Sequence, residues 1–550
     1  MFVDDNVLRF RGKEYRRVLI RDSYRENGKV KHHTIANISK SSDEEIEAIK
    51  FALKHKKELK NFVFLKEIKI KTGLSVGAIV LLEALARRLH ITKALGNTRM
   101  GKLALWQVMA RVIEQGSRLS AVRLASQHAI CDLIGLDSFN EDDLYKNLDW
   151  LGNNQVKIEK KIFASRMSHG NKASNFYLYD VTSSYLEGHE NELADWGYNR
   201  DKKKGKMQII IGLLTDSDGI PVSVEVFKGN TSDCKTFASQ IKKASMRFGI
   251  KDVTMVGDRG MIKSTQIEAL GEEHFHYITA ITRSQIEVLV REGVIQLELF
   301  EDKICEVEIE GIRYILRRNP IRAREIEEGR ERKLAKISGM IEEQNKYLLE
   351  HKRAKVKVAL KMMRCMIQKL KVEDFCGVYA RGRILSIKID GDKRGKVSQY
   401  DGCYVIKTDL SKEMAGKEEI HSRYKDLSLV EDGFRTMKTG FLDVRPVNVQ
   451  KARRTRGHVF VVMLGYIIAY ELKRLWAGVN ITIEEGIKEL VAITADRIKA
   501  GAISYQQIPE PRDLGAKLLE LAGVSLPGAL PYRGVKVATR KKLPGRRKKQ

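Results

Sequence analysis

The sequence predicts an α/β protein built around a mixed sheet, and three observations predict it. Between residues 176 and 229 three apolar, β-branched runs follow one another: FYLYDVTSSYLE, MQIIIGLLTD and PVSVEVFKG. From residue 235 to 282 the pattern alternates, with a helix in KTFASQIKKASMRFG, a strand in DVTMVGD, a short helix in KSTQIEAL and a strand in HYITAIT. Helical spacing then returns in YKDLSLVEDGFRTMK after a long interruption.

Taken in order, residues 7 to 36 alternate apolar and charged side chains around Asn27-Gly28, which predicts a basic β-hairpin within residues 1–40. Residues 41–172 turn helical. Ser42 precedes DEEIEAIKFAL as an N-cap with an acidic first turn, and Val76, Ile79, Val80, Glu83, Ala84 and Ala86 begin a second helix. Arg111, Arg118, Arg123 and His128 fall among apolar positions, which suits either a helix-turn-helix facing DNA or an ordinary amphipathic bundle.

Residues 173–282 form the first part of the core, with Asp218-Gly219-Ile220-Pro221 turning between its second and third strands. Three antiparallel strands followed by alternating helix and strand is the order of a ribonuclease-H-like fold with a five-stranded mixed sheet. Asp180 then lies on the first strand and Asp258 at the end of the fourth, while HYITAIT and CYVIKTDL both qualify as the fifth. Residues 283–420 are long enough to be an α+β insertion domain rather than a loop. Its VIQLELF and KICEVEIEGIRYILRR pieces read as strands. Ile321 to Val372 read as helix, bending near Ser338-Gly339, with Val356, Leu360, Met363, Ile367 and Leu370 as a packing seam. Residues 421–480 complete the core. His458 opens the apolar run Val459 to Tyr470 and reads as a core or cap residue more readily than a metal ligand. Residues 481–550 read as helices and a basic tail, whose last 18 residues carry nine Lys or Arg and no acid, as expected of a disordered arm.

Composition narrows the partners. Lys and Arg number 100 against 71 Asp and Glu, a net charge of +29, so the summed field favours a polyanion, nucleic acid first; the bland alternative is a merely basic surface. The six cysteines lack CxxC or Cys/His spacing, which argues against a zinc site or a disulfide framework. The N-terminus has no apolar core of signal-peptide length, and the longest apolar run has 12 residues against the roughly 20 that a membrane helix needs. A cytoplasmic protein with no membrane contact is expected.

Three carboxylates carry the chemistry. Asp180 in YDVTSSY, Asp258 in VGDRG and Glu431 in YKDLSLVEDGFRTMK could meet at one sheet edge. Hard cations such as Mg²⁺ take oxygen ligands, and two of them about 3.5–4 Å apart serve phosphodiester cleavage and strand transfer. Either Asp alone reads more readily as a turn or cap residue. Seven-residue spacing puts Tyr424, Glu431 and Lys438 on one helical face. Arg435, four residues from Glu431, suits an ion pair with it or a DNA contact. Arg259 binds phosphate or pairs with a neighbouring carboxylate. Lys202, Lys203, Lys204 and Lys206 track a DNA backbone or form a solvated turn.

These segments, in order from about residue 100 to 475, resemble the insertion-sequence-four superfamily of bacterial DDE transposases, most closely the subgroup named after insertion sequence sixteen thirty-four. The motifs are ARVIEQGSRLS, YDVTSSYLEG, GYNRDKKKGKMQIIIGLL, DGIPVSVEVFKGN, VGDRGM and FRTMKTGFLDVRPV with GHVF. The family's Tyr-x2-Arg-x3-Glu-x6-Lys signature is matched by Tyr424, Glu431 and Lys438, with Leu427 at the Arg position and Arg423 and Arg435 close by.

The resemblance implies catalytic, metal-holding Asp180, Asp258 and Glu431 in a ribonuclease-H-like core interrupted by an insertion domain. It implies two Mg²⁺ ions, replaceable by Mn²⁺, double-stranded DNA at the element's terminal inverted repeats and at the target, and a homodimer. Tyr424 and Lys438 would contact DNA near the cleaved phosphate. A catalytically silent DNA-binding descendant, or a nuclease that cuts without joining, are the alternatives.

Overall fold

The structure, a computed structural model, describes residues 1–10, 12–57, 68–168, 174–201, 203–248, 253–301, 303–438, 440–445, 447–500, 503–531 and 533–539. The chain opens with β1 (Phe2–Phe10), β2 (Lys13–Glu26) and β3 (Lys29–Asn37), an antiparallel three-stranded sheet where a two-stranded hairpin was expected. Asn27 (φ 50°) and Gly28 (φ 75°) make the expected turn, and the missed first strand pairs Phe2 with Arg21 through Phe10 with Lys13. In α1 (Asp43–Lys54), Ser42 and Glu45 form a reciprocal capping box. Then come β4 (Ile68–Ser75), α2 (Gly77–Arg88), α3 (Ile91–Leu95), α4 (Arg99–Ile113), α5 (Arg118–Ala125), α6 (Ile130–Ile134) and α7 (Glu141–Ser168).

The central elements are β5 (Phe176–Tyr185), β6 (Gln208–Asp216), β7 (Pro221–Lys228), α8 (Asp233–Lys242), β8 (Thr254–Gly257), α9 (Ser264–Glu272), β9 (His276–Ala280) and α10 (Arg283–Arg291). After them run β10 (Cys305–Ile309), β11 (Ile312–Arg318), α11 (Pro320–Glu350), α12 (Val356–Lys369), β12 (Cys376–Arg381), β13 (Ile384–Ile389), α13 (Gly391–Ser398) and β14 (Cys403–Thr408). The chain continues through α14 (Lys417–Lys425), α15 (Leu427–Lys438), α16 (Ala452–Leu475), α17 (Ile483–Val491), β15 (Thr494–Ala500), β16 (Ile503–Gln507) and α18 (Asp513–Leu521).

Among the described residues, the main sheet has eight strands rather than five, in the order β10-β11-β14-β9-β8-β5-β6-β7. β8 runs parallel to both β5 and β9, and the other pairings are antiparallel. Both expected fifth strands belong to it: β9 continues the parallel part, and β14 adds on antiparallel to β9. Alternation along β5 sorts its side chains. Tyr177, Tyr179 and Val181 face the core under α8 and α9, while Leu178 faces the larger core that holds α15, α16, α4 and α7. The 12-residue apolar run lies inside α16, where every residue from Val459 to Ala469 is buried. α16 crosses α7 so closely that a Cβ at Gly457 would collide with the Leu148 carbonyl. Among the described residues no helix is long and apolar enough to cross a membrane.

Other expectations were overturned. VIQLELF finds no strand partner; Ile295 and Phe300 drop into a small core with Leu316 and Val405, and Leu297–Leu299 curl into a 3₁₀ turn. α11 runs straight through Ser338-Gly339 because Leu334, Ile337, Ile341 and Leu348 form one buried stripe, which outweighs the roughly 1 kcal/mol that a helical glycine costs. The chain bends instead after Glu350, and Met363 and Ile367 of the α12 seam pack back on that stripe. The C-terminal region is not wholly helical: β15 pairs with β16 and with the distant β4. Nor is the start of the basic tail free, since Arg533 N–H bonds Asp132, Ser138 bonds the Lys536 carbonyl and Val537 is buried. The rest of that tail, residues 540–550, lies outside the described residues.

Candidate active site

β5 and β8 bring the first two acids together. Their last registered pair is Tyr179 with Gly257, so Asp180 and Asp258 are the next residues on adjacent parallel strands. Asp180 lies on the same face of β5 as Leu178 and Thr182, the face that receives α15. Its Oδ1 accepts the Val181 N–H at 2.7 Å. Burial pushes its carboxyl up to about 7, helped by the neighbouring charges of Asp258 and Glu431 and opposed by Arg200. Asp258 is exposed, and its Oδ1 accepts the Arg259 N–H at 2.7 Å and the Tyr424 hydroxyl at 3.2 Å.

Glu431 lies on α15, near enough for its charge to act on Asp180. It is exposed, on a helix whose Leu427, Val430, Phe434 and Met437 are buried. Tyr424 is not on that helix, contrary to the single face expected: α14 ends at Lys425, and Leu429 N–H bonds three residues back to the Asp426 carbonyl at 2.8 Å, tightening the turn. Arg423 pairs with Asp426 at that break. Tyr424 still meets the site through Asp258, and burial beside that carboxylate raises its phenol well above the ordinary value. Leu427, at the family's Arg position, is buried.

Lys438 is the last residue of α15. Its side chain is 11% exposed, and its ammonium bonds Thr182 Oγ1 at 2.9 Å and Asp201 at 2.7 Å. Arg445 holds the same Asp201 oxygen at 2.6 Å. Asp201 went unnoticed in the sequence. The available signal was an acid set inside the basic run RDKKKGK.

The remaining candidates divide. Arg259 is exposed and makes no ion pair among the described residues. Arg435 is exposed and pairs with Asp432 at 3.3 Å. Lys203 sits over the Tyr185 ring, Lys206 pairs with Glu187, Lys204 is exposed, and Lys202 lies outside the described residues. In the helical region the alternatives resolve for three residues. Arg111, Arg118 and His128 are buried: Arg111 bonds the Gly116 carbonyl, Arg118 bonds Gln107 and His128 bonds the Leu124 carbonyl, so they cannot face DNA. Arg123 is exposed. His458 is buried in the core beside the Val444 carbonyl.

The three acids suit a hard divalent cation by donor type: all offer oxygen, and none is ion-paired to Lys or Arg among the described residues. They are not gathered into a cluster, and no group of three or more His, Cys, Asp or Glu among the described residues stands ready to hold a metal ion. The Tyr424 hydroxyl holds Asp258 by one oxygen.

Comparison with known proteins adds the family. Residues 7–67 match the N-terminal domain of the IS1634 family transposases, and residues 172–468 match the transposase DDE domain. No curated protein matches the chain. Among solved structures it is similar, at 8% identity and a TM-score of 0.35, to a piggyBac transposase synaptic complex with hairpin DNA, over 71% of this chain and 69% of that one. It is also similar, at 8% identity and a TM-score of 0.15, to a Mos1 transposase paired-end complex with the left transposon end, over 30% of this chain and 59% of that one. At those scores neither likeness bears on the fold. The DDE-domain match covers more than half of the 550 residues, and the N-terminal match names the subgroup: the chain belongs to the IS1634-like DDE transposases.

Proposed function

We propose that this transposase cuts double-stranded DNA at the terminal inverted repeats of its own element and joins the cut ends to target DNA, using Asp180, Asp258 and Glu431. The observation that carries the reading is the placement of Asp180 and Asp258 as register neighbours on β5 and β8, with the charge of Glu431 felt at Asp180. The strand order β9-β8-β5-β6-β7 is that of a ribonuclease-H-like core, and residues 283–420 are its insertion, lending β10, β11 and β14 to the same sheet.

Two divalent cations, Mg²⁺ with Mn²⁺ as substitute, would be held by the three carboxylates and would supply charge neutralisation at the phosphorus and at the attacking and leaving oxygens. The chain's own residues prepare for this. Burial raises the Asp180 carboxyl to about 7, so a bound cation would favour its charged form. Tyr424 orients the Asp258 carboxylate through its hydroxyl. Arg259, exposed beside Asp258, would meet a DNA phosphate, as would the exposed Arg435 of α15. The net charge of +29 draws the duplex to the surface. The helical region within 41–172 would bind the element ends, and a homodimer in the cytoplasm, close to the nucleoid, would handle both together.

The alternative is a catalytically silent descendant. A silent descendant would bind the repeats and never cut. The test uses purified wild type, Asp180→Asn, Asp258→Asn and Glu431→Gln with DNA carrying the flanking repeats, a target plasmid, and Mg²⁺ or Mn²⁺. Cut and joined products from wild type alone support the proposal. Binding with no cutting by any protein supports the silent descendant, and cut products without joined ones indicate a nuclease.

A further inference from the structure

We propose that Asp201 is a positioning residue which, through Lys438, fixes the seating of α15 on β5 and thereby the place of Glu431 relative to Asp180. The inference rests on the reading of Glu431 as a member of the site.

Asp201 is withdrawn from water, its side chain 2% exposed, and each of its bonds leads to a different piece of the core. Oδ1 accepts the Lys438 ammonium at 2.7 Å and the Arg445 guanidinium at 2.6 Å, and Oδ2 accepts the Tyr185 N–H at 3.1 Å. One carboxylate therefore ties the end of β5 to the end of α15 and to the segment that follows it. The preceding residue is held too, because Arg200 N–H bonds the buried Ser183 hydroxyl at 2.8 Å and its guanidinium pairs with Asp233 at 2.9 Å.

Lys438 passes this anchorage to the site. Its second bond goes to Thr182, two residues beyond Asp180 and so on the same face of β5. Glu431 lies seven residues back along α15, two helical turns away on the same side as Lys438. The rest of the α15 contact is apolar, made by Val430, Phe434 and Met437. Apolar contact is non-directional and leaves a helix free to slide or roll, whereas charge-assisted hydrogen bonds set direction and distance. The clamp supplies the register that the apolar face leaves open. The same ammonium is thereby engaged inside the protein.

The test measures single-turnover strand cleavage and end-DNA affinity for wild type, Asp201→Asn, Lys438→Met, their double variant and Thr182→Val. Melting curves accompany each protein. Wild type is assayed first: absence of cutting there would overturn the DDE chemistry itself, before any variant is considered. Given cutting, Asp201→Asn should lower the maximal cleavage rate about a hundredfold, the scale of a misplacement near 1 Å, with affinity for the ends unchanged. The double variant should be no slower than the slower single variant, because both remove one interaction. Thr182→Val leaves the buried charges paired and should show a smaller loss of the same kind, which decides the matter if Asp201→Asn does not fold. An unchanged rate in folded Asp201→Asn, or in Thr182→Val if that protein must decide, would overturn the inference. So would a loss confined to DNA affinity, or singly additive losses in the double variant.

Discussion

Asp180, half-buried on β5, and Asp201, whose side chain is withdrawn from water at the end of that strand, live in opposite company. Asp201 has two cations on one oxygen and a backbone N–H on the other. Asp180 has one backbone N–H and two neighbouring acids, and its carboxyl rises to about 7. Burial with cations makes an acid into a staple, and burial without them makes it costly to ionise. The fold thus sets both kinds of acid beside one strand, with Asp180 at the seam where β5, β8 and α15 meet.

The largest expected effect belongs to the uncompensated side. Asp258→Asn, which leaves one fewer anionic oxygen donor, should lower strand cleavage by about a thousandfold or more while end binding stays within a few fold. A gel-based cleavage assay beside a binding titration reads both. On the compensated side, Asp201→Ala strands two half-buried cations, and chemical denaturation should show a loss of about 2 kcal/mol. Close packing offers an intermediate control: Gly457→Ala, which forces apart α16 and α7 at the Leu148 carbonyl, should cost about 1–3 kcal/mol without any special effect on metal dependence.

Asp180 gives an effect of opposite sign, and its pH dependence sharpens the contrast. Its folded value of about 7 lies above the 3.8 of a free carboxyl, so between those values the folded chain keeps a proton that the unfolded chain releases. Its drag on stability is therefore absent below about pH 4, grows through the window and is complete above about pH 7. Without divalent cations, Asp180→Asn should be more stable than wild type at pH 8 by about 2 kcal/mol, allowing for partial access of water, with the gap closing toward pH 4. Melting curves across that range test it. The smallest effect is at Arg435, an exposed partner of Asp432: Arg435→Ala should change stability by less than about 0.5 kcal/mol, so any sizeable loss of activity there would point to DNA.

What could be read from the sequence follows from how local each signal is. The runs around Asp180 and Asp258 are apolar and β-branched, and they became β5 and the end of β8 because burial on both faces suits such residues. Ser42 with Glu45, and Asn27-Gly28, act within a few residues and left clear marks. The pairing of β4 with β15 joins segments more than 400 residues apart, and neither strand carries a signal of its partner. The seven-residue spacing of Tyr424 and Glu431 matched one helix, but a tightened turn at Asp426 set Tyr424 on another. Arg111 and Arg118 were equally compatible with groove and core until burial placed them inside, where loss of water pushes the Arg118 guanidinium down to about 9. The positions of the three acids in their elements were thus legible, whereas the clamp at Asp201 needed three dimensions.

The most direct test is a calorimetric titration of Mg²⁺ into wild type and Asp180→Asn at pH 6.5, run in two buffers of different ionisation enthalpy. With the Asp180 carboxyl raised to about 7, wild type should release protons on binding the cations, and Asp180→Asn should release fewer. Identical heats in both buffers for wild type, or equal proton release from the variant, would contradict a cation site centred on Asp180.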